Sequence, residues 1–160
     1  MEIEQIFSNL LPKGKYFIGD LSYILPDDIY EEYVVSSLSD GAIVKIITDE
    51  GEEFLSCFGF TFDGDGLFKD KAENEYSVDT GIIGIVQLYN EDIASEARRL
   101  MEEGLAQIVE FEEEFGVSAE TGVFNFGHVV IDTTGSDEEE SWDEEDENEE
   151  EDDENWNWIN

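Results

Sequence analysis

A chain of 160 residues with 44 acids, 7 bases and a formal charge of −37 is repelled by DNA, RNA and anionic membranes, which excludes them as direct ligands. Its 40% hydrophobic content, rich in Phe and Ile, suits one domain with a real core. The lone Cys57 excludes an intramolecular disulfide framework. With no signal peptide and no run of roughly 20 apolar residues, the composition predicts a soluble cytoplasmic protein.

In chain order, Ile3, Ile6, Phe7 and Leu10 have helix-like spacing and predict a short helix within residues 1–12. Lys15 to Ile18 reads as a strand broken at Gly19-Asp20. Pro26-Asp27-Asp28 opens a helix with carboxylates at the positive end of its dipole, expected to end near Leu38. Residues 42–62 form a predicted hairpin around Asp49-Glu50-Gly51. Within it Phe54, Phe58, Phe60 and Phe62 share a parity and are expected on one face. The unbroken apolar run Ile82 to Leu88 predicts a strand covered on both sides.

Asn90 caps a second predicted helix, Glu91 to Glu103, which Gly104 stops. Leu105 to Phe115 alternates and predicts one continuous strand. It would set Glu110, Glu112 and Glu114 in a row, roughly 7 Å apart. Thr121 to Thr134 closes the body, with Phe124, Phe126 and Val130 on one parity. The expected fold is α+β: mainly antiparallel sheet, sandwich- or barrel-like, with two short amphipathic helices and a disordered acidic C-terminal tail.

The composition changes after Gly135. Residues 136–160 hold 15 of the acids and no Lys or Arg, so residues 1–135 keep 29 acids against 7 bases, or −22. The division is a compact acidic domain, 1–135, and a polyacidic tail, 136–160, with too little apolar surface to fold alone.

Three stretches resemble a scattered group of small uncharacterised proteins from bacteria and phages. They are Gly14-Lys-Tyr-Phe-Ile-Gly-Asp-Leu-Ser-Tyr23; the Gly64-Asp-Gly66 turn with Tyr76-Ser-Val-Asp-Thr-Gly-Ile-Ile-Gly84; and Val109 to Phe115 through Gly122 to Asp132. The group often has Asp-Pro-Cys-Tyr where this chain has Asp20-Leu-Ser-Tyr23, so any role of that Pro-Cys pair is absent here. The resemblance implies one domain and a phage origin, with the host cytoplasm as the setting. It brings no reaction with it.

Asp63, Asp65 and Asp70 suggest a cation loop. Against an EF-hand template, however, Leu67, Phe68 and Asn74 occupy ligand or glycine positions, and Asp-Gly pairs are common turn chemistry. His128 reads as a half-buried strand histidine and Cys57 as an inert buried thiol, so no nucleophile and base assemble. Asp20, Asp79 and Asp132 could pair for acid–base chemistry, but among so many acids such groupings arise by chance. No cofactor motif is present.

Charge carries the functional reading. Duplex DNA shows about one negative charge per 1.7 Å of axis, and a folded body at −22 can imitate that field. The expected partner is a basic protein, nucleic-acid-binding or defence-related. The expected contacts are Glu110, Glu112 and Glu114, and in the tail Asp137, Glu138, Glu139, Glu140, Trp142, Asp143, Glu144, Glu145, Trp156 and Trp158. Exposed tryptophan is a frequent binding anchor. The alternatives are an acidic accessory or structural protein whose tail docks a partner, and a small enzyme of unknown reaction.

Overall fold

The computed structural model describes residues 1–35, 41–62 and 64–134. In order, the elements are β1 (Glu2–Ile6), β2 (Leu10–Leu11), β3 (Gly14–Gly19), a 3-10 turn (Leu21–Tyr23), α1 (Asp27–Tyr30), a π-turn (Glu31–Val35), β4 (Ile43–Ile47) and β5 (Glu53–Phe60). They continue with β6 (Gly66–Lys69), β7 (Glu75–Val78), β8 (Ile82–Gln87), α2 (Glu91–Glu102), β9 (Gln107–Phe111), β10 (Phe115–Glu120), β11 (Val123–Phe126) and β12 (Val129–Asp132). A six-stranded antiparallel sheet runs β1-β4-β5-β8-β3-β9. A four-stranded sheet, β12-β11-β10-β2, and the β6–β7 ribbon complete the α+β fold.

The apolar run in β8 follows from this layering. Ile83 and Ile85 face a core shared with Phe124, Phe126 and Ile131 of the smaller sheet, while Ile82 and Val86 face Ile29, Tyr33, Ile93 and Leu100 of the helical layer. A strand covered on both faces has no polar parity. The same alternation splits β5: Cys57 joins the inter-sheet core, and Phe54 and Phe58 lie under the helices. Phe60 and Phe62 share that parity but run past the helical cover, and are 55% and 63% exposed.

Residues 1–12 form β1 and β2 rather than a helix. So short a segment gains little from its own helical hydrogen bonds, whereas β4 offers it a ladder from Glu2↔Ile47 to Ile6↔Ile43. Ile3 then packs on the helical core and Ile6 on the inter-sheet core. The helix opened by Pro26 is α-helical over Asp27–Tyr30 and widens into the π-turn, which buries Tyr33 and Val34. Its expected end near Leu38 lies outside the described residues. α2 forms as the sequence indicates: the Asn90 side chain accepts from the Ile93 N–H at 2.8 Å, and Gly104 takes a φ of 78° at the other end.

The continuous strand expected over 105–115 is broken. β9 stops at Phe111, Glu112 to Glu114 turn the corner between the sheets, and β10 begins at Phe115. Aromatic packing holds this corner from inside. Phe111 and Phe115 stack at 3.7 Å, and Tyr16 meets both edge-on, at 5.8 and 5.2 Å. Val130 is likewise off the face of Phe124 and Phe126. The two-residue turn Gly127-His128 pairs Phe126 with Val129, so Val129 and Ile131 take the buried parity.

The β10–β11 turn is Thr121-Gly122, with φ of 52° and 82°. Two consecutive positive φ values are the requirement of a type I′ turn, which favours Asn-Gly and disfavours a β-branched residue. Thr121→Asn is therefore expected to stabilise the fold by about 0.5–1 kcal/mol, read as a higher urea midpoint with an unchanged denaturant slope.

Candidate functional site

Two of the stretches that carry the resemblance meet at Asp20. β3 ends at Gly19, and the fully buried Asp20 carboxylate then caps the 3-10 turn by accepting from the Ser22 N–H at 2.9 Å. It also accepts from the Asp79 N–H at 2.7 Å, the Thr80 N–H at 3.0 Å and the Thr80 hydroxyl at 2.8 Å. Asp20 therefore ties the β3 exit to the β7–β8 turn. Asp79 is exposed and accepts from the Tyr23 hydroxyl at 2.7 Å. These two acids are a structural joint, with the Asp20 oxygens already committed to donors.

Asp70 is committed in the same way. Its carboxylate accepts from the Tyr76 hydroxyl at 2.7 Å, the Ala72 and Asn74 N–H groups at 2.8 and 3.0 Å, and the Asn74 side chain at 3.2 Å. Burial pushes this carboxyl up, but the hydrogen bonds from Tyr76, Asn74 and Ala72 outweigh burial and hold it below the ordinary range. Asp70 thus builds the β6–β7 turn rather than a cation loop. Asp65 is exposed, and Asp63 lies outside the described residues. Among the described residues, no three His, Cys, Asp or Glu side chains are grouped to hold a metal ion.

Cys57 is fully buried, and burial pushes its thiol up to about 12. His128 is exposed in the β11–β12 turn, with its ring 5.3 Å from that of Phe111, which corrects the expected half-buried strand position. Asp132 accepts from the N–H and hydroxyl of Thr134, which lower its pKa.

The remaining surface is dominated by carboxylates. Among the described residues, four of the seven bases are tied to acids of the same body. Lys45 stands 3.9 Å from Glu4 and 4.0 Å from Glu53; Lys69 is 3.7 Å from Glu73, and Arg98 is 2.8 Å from Glu91. Arg99 holds Glu96 and, at 2.8 Å, Glu103. Lys15 faces Glu110 across the β3–β9 pair. Such exposed pairs add little stability. They do reduce the positive field available to an approaching anion.

Three described chain segments bring acids together. The first turn of α1, the β4–β5 loop and the first turn of α2 enclose a cleft of about 520 Å³. Asp28, Asp49, Glu50, Glu52 and Asp92 line it; among the described residues one cation faces them, the Met1 ammonium, which is 2.5 Å from Asp49. Tyr89 forms part of the wall and stacks on Phe54 at 4.0 Å. Burial, then the charges of Glu52, Asp28 and Glu50, push its phenol up to about 12. The Asn90 side chain donates to Glu52 at 3.0 Å, so the residue that caps α2 also orients a wall carboxylate.

No protein-family model, curated protein or solved structure matches the chain. The site is therefore defined by its own chemistry. The cleft gathers five carboxylates beside the Tyr89 side chain, a combination suited to ammonium or guanidinium groups.

Of the acids expected to contact a partner, Glu110, Glu112 and Glu114 are all exposed. Only Glu110 lies on β9, and the other two lie in the corner, so no single strand sets the three in an even row. The tail residues Asp137 to Glu140, Trp142 to Glu145, Trp156 and Trp158 lie outside the described residues. Sequence reasoning missed the cleft. Its acids are ordinary first-turn and hairpin-loop residues, and the available signal was the clustering of Asp27-Asp28, Asp49-Glu50 and Glu91-Asp92 at element starts and turns. Among the described residues, no helix is long and apolar enough to cross a membrane.

Proposed function

We propose that this is a non-enzymatic acidic binding or inhibitor protein that occupies a basic, nucleic-acid-binding surface of a partner protein, in the manner of a DNA mimic. The observation that carries the proposal is the charge arrangement of the body. Residues 1–135 bring 29 acids against 7 bases, four of those bases are held in local ion pairs, and five carboxylates crowd one cleft. A field of that sign steers a basic cleft toward the protein and fixes orientation more than it adds raw affinity. Residues 136–160 add 15 further acids with Trp142, Trp156 and Trp158. A cytoplasmic role in phage counter-defence or nuclease immunity fits this chemistry.

The test is displacement of a fluorescent DNA duplex from a panel of basic DNA-binding proteins and nucleases. Displacement is expected at low ionic strength, with affinity falling at least about tenfold between ~50 and ~200 mM salt. Affinity that ignores salt, or displacement of no panel member, would overturn the reading. The full chain with Trp142, Trp156 and Trp158 replaced by alanine reports the contribution of the tail separately.

A further inference from the structure

We infer that the outer edge of β1 is a docking strand for an extended lysine- or arginine-rich segment of the partner, which adds to the six-stranded sheet and reaches into the acidic cleft. This deepens the acidic-binder reading and rests on it. β1 is the end strand of its sheet, paired with β4 on its inner side over five residues. Among the described residues no strand pairs with its outer side, so backbone donors and acceptors there face solvent in the pattern that accepts an added strand. The edge is about 16 Å long by strand rise, with Glu2, Glu4 and Gln5 exposed.

Charge selects the occupant. A second copy of this chain would bring its own Glu2 and Glu4 against these, along with a further net charge of −37; like charges across a strand pair are destabilising. An incoming strand with Lys or Arg at alternate positions meets Glu2 and Glu4 on one face instead. Lys45 on β4 answers Glu4 only loosely, at 3.9 Å, and is shared with Glu53 at 4.0 Å. The carboxylates that guard this edge against self-pairing thus favour a basic strand.

Both ends of the edge carry a further feature in line with it. Met1, immediately before β1, lines the cleft with Asp28, Asp49, Glu50, Glu52 and Asp92. A segment continuing past Glu2 therefore runs toward that cleft. At the other end Phe7 is 91% exposed. Its turn is fixed by the Ser8 N–H donating to the Ile6 carbonyl at 2.9 Å and the Leu10 N–H donating to the Ser8 hydroxyl at 3.1 Å. An aromatic ring held in solvent on a fixed turn is an anchor for the apolar part of a partner strand.

The experiment uses the full chain and two peptides of about ten residues. One is an alternating Lys–Val peptide; the other has the same sequence with alternate backbone nitrogens methylated, which keeps its charge and removes its ladder donors. The first is expected to bind at least about tenfold more tightly than the second and to slow hydrogen exchange of the 2–6 amides. Glu2→Gln with Glu4→Gln is expected to narrow that difference while leaving the unfolding midpoint of the free protein nearly unchanged, because both side chains are exposed and an amide does not repel Lys45 across the strand pair. Equal binding of the two peptides, without protection of residues 2–6, overturns the docking strand and leaves the acidic-binder reading standing. Failure of both peptides and of every basic DNA-binding protein at low salt overturns the acidic-binder reading, and the docking strand with it.

Discussion

Replacing Asp20 by alanine is expected to lower the stability of the fold by about 3–5 kcal/mol. The buried carboxylate receives three backbone N–H groups and one hydroxyl, from Ser22, Asp79 and Thr80. Its removal leaves those donors unpaired at the junction of β3, β8 and the 3-10 turn. An unsatisfied buried donor costs about 1–3 kcal/mol, and hydrogen bonds to a charged acceptor are stronger than neutral ones. Asp20→Asn is expected to fall between alanine and the native residue, because an amide cannot accept at both positions. Asp79→Ala is the control: its backbone N–H still reaches Asp20, and only the exposed contact with Tyr23 disappears, so the loss should stay within about 1 kcal/mol. Urea midpoints of the three variants decide the matter. Equal losses for Asp20→Ala and Asp79→Ala would show that Asp20 is not the joint.

That joint was only partly legible. Gly14 to Tyr23 and Tyr76 to Gly84 could be marked as distinctive stretches, and Asp20 as a strand breaker, yet nothing local says that the two meet. Where local chemistry and tertiary structure agree, the sequence reading holds. Asn90, the apolar stripe of Ile93, Ala97 and Leu100, and Gly104 define α2 without outside help. Ile82 to Val86 declare a strand covered on both faces. Where a distant partner decides, the reading fails. Ile3, Ile6 and Phe7 carry helical spacing, but the open edge of β4 settles their conformation. Glu110, Glu112 and Glu114 alternate whether the chain runs straight or bends, and Tyr16 packing on Phe111 and Phe115 makes it bend.

The acidic character shows the same division. Its magnitude and its presence in the body were legible from counting. Its focus was not, because the cleft depends on sheet topology bringing the β4–β5 loop to the end where both helices begin. Acids that favour helix N-termini electrostatically are thereby concentrated on one site. Local helix chemistry and the binding surface thus draw on the same residues: Asp28 and Asp92 lie in the first turns of α1 and α2 and also line the cleft.

The second large effect is expected at Gly127. Gly127→Ala should destabilise the protein by about 2–4 kcal/mol, from two separable causes. Gly127 is the first residue of the two-residue β11–β12 turn and has a φ of 63°, as a type II′ turn requires of its glycine position. A Cβ there would also lie 2.6 Å from the Phe111 ring and 3.3 Å from the Phe115 Cβ. The ring has little freedom to yield, since it stacks on Phe115 at 3.7 Å and meets the edge of Tyr16. Gly104→Ala isolates the backbone cause. Its φ is 78°, but a Cβ would meet nothing within 4 Å, so about 1–2 kcal/mol is expected. Adding Phe111→Leu then tests the steric cause. The double variant Gly127→Ala, Phe111→Leu should be more stable than the sum of its single changes predicts, by about 1 kcal/mol. Strict additivity would mean that the ring at the sheet corner does not restrain the turn, and the cost of Gly127→Ala would then lie in the backbone alone.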